Sequence, residues 1–173
     1  VGACQALFTA LTGILNPGDE VIVPMPAFVL YESIITLAGA TLVPLDLCKT
    51  DFQIDEAALR AAITPKTKAI VLTSPNNPTG RVWERWELEK AMELYAKHDV
   101  WVVSDEIWSD LILPGHKHIP TQSISEDAKM RTIAMYAPSK TFNIAGLQCS
   151  NIWIKNEALR ERYNREVAAS GYT

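Results

Sequence analysis

Long apolar runs are missing from this chain. None approaches the roughly 20 residues of a membrane-spanning helix, and no segment has the pattern of a signal peptide. An excess of basic charge is missing too. Sixteen Lys and Arg stand against 20 Asp and Glu, a formal net charge of −4. Binding to nucleic acid needs a basic footprint that displaces counterions, so neither nucleic acid nor a membrane is an expected partner. Cysteine is scarce. Cys4, Cys48 and Cys149 are odd in number and far apart. They make neither a disulfide framework nor a zinc cluster, and a reducing cytoplasm is the expected setting. His116 and His118 stand two apart in loop-like sequence with no adjacent Cys or carboxylate cluster, which is poor for zinc, so no metal is expected. Repeats, low-complexity tracts and linkers are also absent. The 173 residues are expected to form one domain, and a composition 48% apolar and 21% charged gives it an ordinary core. The chain starts at Val1 without Met and stops at Thr173 without a closing element, so a piece of a longer chain is expected.

What is present is an alternation of helix-like and strand-like segments, the pattern of an α/β sheet. Strands are expected over 20–23, 41–45, 69–73, 100–103, 131–136 and 151–154. Helices are expected over 5–15, 27–37, 54–63, 84–98 and 157–167. Asn16-Pro17-Gly18 closes the first helix and Gly39 suits the C-cap of the second. Asp55 and Glu56 open the third, where negative charge favours the helix dipole. Leu88, Met92 and Tyr95 lie on one face of the fourth. The five tryptophans share no spacing and are expected mostly in the core or at an interface.

Three polar residues stand out against this frame. Asn77, Asp105 and Lys140 each follow the C-terminal end of an expected strand, the edge at which open α/β sheets bind ligands. An amine, a carboxylate and an amide so placed suit a ligand with an aldehyde and a basic ring nitrogen. The amine condenses with the aldehyde and the carboxylate keeps the ring protonated. Alone, each residue has an ordinary explanation: a solvated lysine, a capping aspartate, an Asn-Pro turn. Their occurrence together, in sequence blocks after apolar strands, favours the joint site.

The blocks are Ser74-Pro75-Asn76-Asn77-Pro78-Thr79-Gly80, Ser104-Asp105-Glu106-Ile107 and Ser139-Lys140-Thr141-Phe142-Asn143. They resemble the signature segments of the fold-type I pyridoxal-phosphate enzymes, the aspartate aminotransferase superfamily. Lys117-His118-Ile119-Pro120 and the run from Ala137 to Gln148 resemble its cystathionine β-lyase, or C–S lyase, branch most closely. The resemblance covers almost the whole chain. It implies a three-layer α/β/α fold with a mostly parallel sheet. Residues 1–173 would be the pyridoxal-phosphate-binding large domain, truncated at both ends, with a C-terminal small domain outside the sequence. It implies pyridoxal 5'-phosphate as cofactor, an amino acid as small-molecule substrate and a homodimer in the full-length protein. The arginine that binds the substrate carboxylate would belong to the C-terminal domain.

Residue by residue, the resemblance makes Lys140 the amine that bonds the cofactor's aldehyde and later moves the Cα proton. Burial beside other cations would favour its neutral form. Asp105 would pair with the ring nitrogen and Asn77 with the phenolic oxygen. Gly2, Ala3 and Cys4 would open the helix whose backbone N–H groups hold the phosphate, with Ser139 adding a hydroxyl. Phe28 would stack on the ring, where the family more often has tyrosine. Glu106 belongs to the same motif and is expected to be structural.

Two positions depart from the family pattern. Gln148 stands where aminotransferases usually carry a phosphate-binding arginine eight residues after the lysine. The lyase branch tends to lack that arginine too. Trp108 stands where the family usually has tyrosine and the lyase branch often histidine, and indole donates one hydrogen bond but accepts none. Three functions compete. The first is a C–S β-lyase cleaving cysteine S-conjugates such as cystathionine to a thiol, pyruvate and ammonia. The second is a class I/II aminotransferase using the same residues. The third is an inactive fragment or a cofactor-free binding domain that keeps the fold. Gln148 favours the first.

Overall fold

The computed structural model describes residues 2–171. All six expected strands form one sheet: β1 (Glu20–Met25), β2 (Thr41–Asp46), β3 (Thr67–Thr73), β4 (Trp101–Asp105), β5 (Thr132–Tyr136) and β6 (Asn151–Ile154). The order across the sheet is β2-β1-β3-β4-β5-β6. The first five strands are mutually parallel, and β6 runs antiparallel to β5. The order reverses at β1, whose two neighbours are β2 and β3. Loops that leave the C-terminal ends there diverge and open a crevice.

Six helices cover the sheet: α1 (Gly2–Ile14), α2 (Tyr31–Leu37), α3 (Glu56–Ala62), α4 (Arg85–Lys97), α5 (Glu126–Arg131) and α6 (Glu157–Ala169). Successive strand residues point to opposite faces, and the core divides accordingly. Val21, Val23, Val71 and Val103 pack with Leu7, Leu11 and Ile14 of α1, Ile35 of α2 and Leu159 of α6. Ile22, Ile70, Leu72 and Val102 pack with Leu59 of α3, Leu88 and Met92 of α4 and Ala128 of α5. The result is the expected three-layer α/β/α arrangement. The central strands are apolar on both faces because both faces are covered. Leu11 is fully buried between α1 and the sheet. Leu11→Ala is expected to cost about 2–5 kcal/mol through lost burial and the cavity left behind, read as a lower midpoint in urea unfolding.

The helices expected over 5–15, 27–37, 54–63, 84–98 and 157–167 all form, with shifted ends. The largest correction is at 27–37, where α2 begins only at Tyr31. Tyr31 N donates to Phe28 O and the helical ladder starts with Ile34 N to Leu30 O, so Phe28 to Tyr31 form a turn ahead of the helix. That turn carries Phe28 to the sheet edge rather than into the helix. Helix α5 was not expected. It is capped by Ser125, whose hydroxyl accepts from Ala128 N, yet Ala128 is its one buried residue. A six-residue helix with one buried position leaves no apolar period to detect. The tryptophans differ in burial. Trp83 is fully buried and donates its indole N–H to Thr73 O at 2.8 Å, whereas Trp86 and Trp153 are exposed.

Candidate functional site

The loops that follow β1, β3, β4 and β5, with the start of α1, surround a cavity of about 200 Å³. Gly2, Ala3, Cys4, Phe28, Asn77, Asp105, Trp108, Ser139 and Lys140, all singled out in the sequence, line it. Asn77 and Trp108 also line an adjoining cavity of about 430 Å³, but that space reaches neither Asp105 nor Lys140. The chemistry-bearing side chains therefore meet in the smaller one.

The asparagines after β3 divide their work. Asn76 is buried and closes the turn: its Oδ1 accepts from Thr79 Oγ1 at 2.8 Å and its O from Gly80 N at 2.7 Å. Gly80 sits at φ +74°, a conformation that costs glycine little. Asn77 is left to line the cavity, and its side chain has no hydrogen-bond partner among the described residues. Trp108 follows on the β4 side, with the Lys140 Nζ 5.6 Å from its ring centroid.

Asp105 is the last residue of β4 rather than a loop residue. Its Oδ2 accepts from Tyr31 OH at 2.6 Å. Tyr31 OH lies 2.7 Å from Thr73 Oγ1. The phenol has one hydrogen, so Thr73 donates to Tyr31 and Tyr31 to Asp105. Oδ1 keeps only a long contact from Ile107 N, at 3.3 Å, and so retains capacity for a ligand. Burial pushes the Asp105 carboxyl above its usual range, opposed by the hydrogen bonds from Tyr31 and Ile107. Burial, with the charge of Asp105, pushes the Tyr31 phenol well up, which keeps it a donor. Tyr31 lines the cavity and holds Asp105, and sequence inspection did not single it out. Its partners lie 42 and 74 positions away, and nothing local marks it.

Gly2, Ala3 and Cys4 form the first turn of α1, whose N–H groups lack intrahelical acceptors. Gly2 has φ +54°, and a Cβ there would lie 2.5 Å from Gln148 Oε1. The backbone of Gln148 closes over this turn, its carbonyl accepting from Gly2 N. The Cys4 thiol is pushed up by burial and by Asp105, with Lys140 opposing. Phe28 meets Tyr31 edge-on, with ring centroids 5.6 Å apart and planes at 77°.

Lys140 is corrected on one point. It is exposed on the cavity rim, and no second lysine or arginine is among the lining residues, so burial beside other cations is not observed. His116 and His118 part company. His116 lines the adjoining cavity, while His118 Nε2 lies 2.7 Å from the buried Glu106 carboxylate. Among the described residues no group of three or more potential ligands is placed to hold a metal, and no helix is long and apolar enough to cross a membrane.

Comparison with known proteins places this geometry. The chain is 38% identical to the cystathionine beta-lyase PatB of Bacillus subtilis, over 98% of its own length and 45% of that protein. It is 40% identical to the aspartate aminotransferase of Bacillus sp. (strain YM-2), over 84% of its own length and 38% of that protein. The crystal structure of cystalysin from Treponema denticola, which contains a pyridoxal 5'-phosphate cofactor, matches with a TM-score of 0.94 at 39% identity, over 98% of this chain and 44% of that one. The aspartate aminotransferase of Thermus thermophilus with maleate matches at 0.88 and 35% identity, over 98% and 44%. The chain thus spans less than half the length of the relatives it matches. A model of the family described as aminotransferase class I and II matches residues 1–171, nearly the whole sequence, and this chain belongs to that family.

Proposed function

We propose that this chain is the cofactor-binding part of a pyridoxal 5'-phosphate enzyme that eliminates a thiol from cysteine S-conjugates such as cystathionine, leaving pyruvate and ammonia. The residues present fit such a cofactor. The helix N-terminus at Gly2 to Cys4 suits a phosphate: Gly2 N is taken by the Gln148 carbonyl, and the N–H groups that follow it, with the helix dipole, favour an anion. The buried Asp105 carboxylate suits a ring nitrogen, Asn77 a phenolic oxygen, and Phe28 a ring face. When bound, the cofactor supplies a covalent handle for the substrate's amino group and a protonated ring that takes up the electrons released at Cα.

This chain's residues do the rest. Asp105, held by Tyr31, keeps a negative charge at the floor of the cavity through Oδ1. Lys140 would hold the cofactor through its amine and would move a proton at the substrate Cα. Its Nζ lies 5.6 Å from the Trp108 ring centroid, and indole offers no proton acceptor there. Ser139 and the α1 amides hold the phosphate. The full protein is proposed to be a cytoplasmic homodimer of this large domain with a C-terminal domain that binds the substrate carboxylate.

Gln148 is the observation that carries elimination over transamination. It lies against Gly2 at the phosphate end, where an aminotransferase of this superfamily would place a bidentate arginine. Lyases of the branch resembled here tend to lack it. Aminotransfer remains the second proposal, favoured by the 40% identity to an aspartate aminotransferase. Product analysis of the full chain separates the two. Incubation with cystathionine alone is expected to release thiol and pyruvate in equal amounts. Keto acid that forms only when an acceptor keto acid is added would replace the lyase assignment with aminotransfer.

A further inference from the structure

Glu106 is a fully buried carboxylate to which the proposed reaction gives no role. Its Oε1 accepts from Ser104 Oγ and from Thr121 N, each at 3.0 Å. Its Oε2 accepts from Tyr136 OH at 2.8 Å and lies 2.7 Å from His118 Nε2. Tyr136 OH in turn accepts from Gln122 Nε2 at 2.6 Å. A charge taken out of water persists only when its lone pairs are met, and here every one is engaged.

The place of this cluster matters. The backbone ladder between β4 and β5 ends at the pair Asp105 and Met135. Glu106 and Tyr136 are the next residues along each strand. The Glu106 amide donates to Met135 O at 2.9 Å, and the carboxylate then grips Tyr136 from the side-chain direction. Further out, Thr141 Oγ1 donates to Asp110 Oδ2 at 2.8 Å. The end of β4 at Asp105 and the loop beyond it that carries Trp108 are thereby tied to the segment carrying Lys140 at two levels.

We infer that Glu106 is a positioning residue of the cofactor site: with Tyr136 and His118 it extends the lock between β4 and β5 past their last backbone pair and sets the span between Asp105 and Lys140. The inference rests on the pyridoxal-phosphate reading above. In that cofactor the ring nitrogen and the ring carbon that bears the aldehyde stand at opposite corners of one rigid ring. Asp105 and Lys140 must hold those corners together, so slack between the two strand ends spoils both contacts at once. Misplacements of about 1 Å are enough to cost about a hundredfold in such geometries. Glu106 also acts through charge: Asp105, raised first by burial, is raised further by its neighbour.

The test uses the full chain loaded with pyridoxal 5'-phosphate and three variants. Glu106→Gln keeps the shape and removes the charge. Tyr136→Phe removes the hydroxyl and decides the matter if the first variant does not fold. Leu59→Ala, in the opposite core layer, serves as a control for lost stability. Cofactor affinity and visible circular dichroism per bound cofactor are measured for each. Glu106→Gln and Tyr136→Phe are expected to weaken cofactor binding about tenfold or more and to change the visible dichroism. Leu59→Ala is expected to lower the melting temperature and change neither. If both variants match Leu59→Ala, Glu106 is purely structural and the inference is wrong while the cofactor assignment stands. If the wild-type chain takes up no cofactor, both fall together.

Discussion

Lys140→Ala in the full chain is expected to abolish the visible absorbance of bound pyridoxal phosphate and to lower turnover by roughly 10⁴-fold, the upper range for a positioned proton-transfer group. Lys140 offers the one primary amine among the residues that line the cavity. An aldehyde condenses only with such an amine, so no neighbour replaces it. Borohydride reduction of the wild-type protein is expected to fix the cofactor's mass on the peptide containing Lys140. Mass on any other peptide would overturn the assignment. Lys140→Arg sharpens the test. Arginine keeps a cation beside Trp108, now 5.6 Å from Nζ, yet stays protonated and does not condense. Its absorbance is expected to be lost as fully as with alanine, which separates the role of the amine from the role of the charge.

Asp105→Asn is expected to act in opposite directions on stability and on function. Turnover should fall by about 10²–10³-fold, the usual size of a lost preorganised electrostatic contact. The cofactor-free protein should become more stable near neutral pH. Burial raises the Asp105 carboxyl above its ordinary value, so between the two values the folded state binds more protons than the unfolded one. Stability then falls as pH rises from the ordinary carboxylate range through the folded value. Asparagine carries no such charge, and its amide oxygen still accepts from Tyr31. The stability gain should therefore be full at neutral pH and should vanish in acid, where both side chains are neutral. Melting curves of both proteins across pH 3 to 8 check this. A variant less stable than wild type at neutral pH would show that Asp105 is held by its partners more strongly than it is penalised by burial.

Much of this molecule is local in origin. The strands announce themselves as short apolar, β-branched runs bounded by turn residues, and Asn16-Pro17-Gly18 follows the end of α1. The blocks around Asn77, Asp105 and Lys140 are contiguous stretches of sequence, and so point to a site without knowledge of any contact. Misread segments share a physical cause. Ala27 to Leu30 look helical in isolation, but the turn from Phe28 O to Tyr31 N delays the helix. Helix α5 has too few buried residues to show a period.

Periodicity by itself determined the alternating α/β plan and its six strands, because each depends on neighbours a few positions away, and contiguous sequence blocks after those strands pointed to Asn77, Asp105 and Lys140. Only the tertiary structure decided that these residues and the α1 N-terminus enclose one cavity, that Tyr31 and Thr73 hold Asp105, that Lys140 stands exposed on the rim, and that Glu106 is locked to His118 and Tyr136. Those facts follow from the strand order and its reversal at β1. The order brings together groups far apart in the chain, and burial then sets their charges and hydrogen bonds through partners that no local pattern encodes.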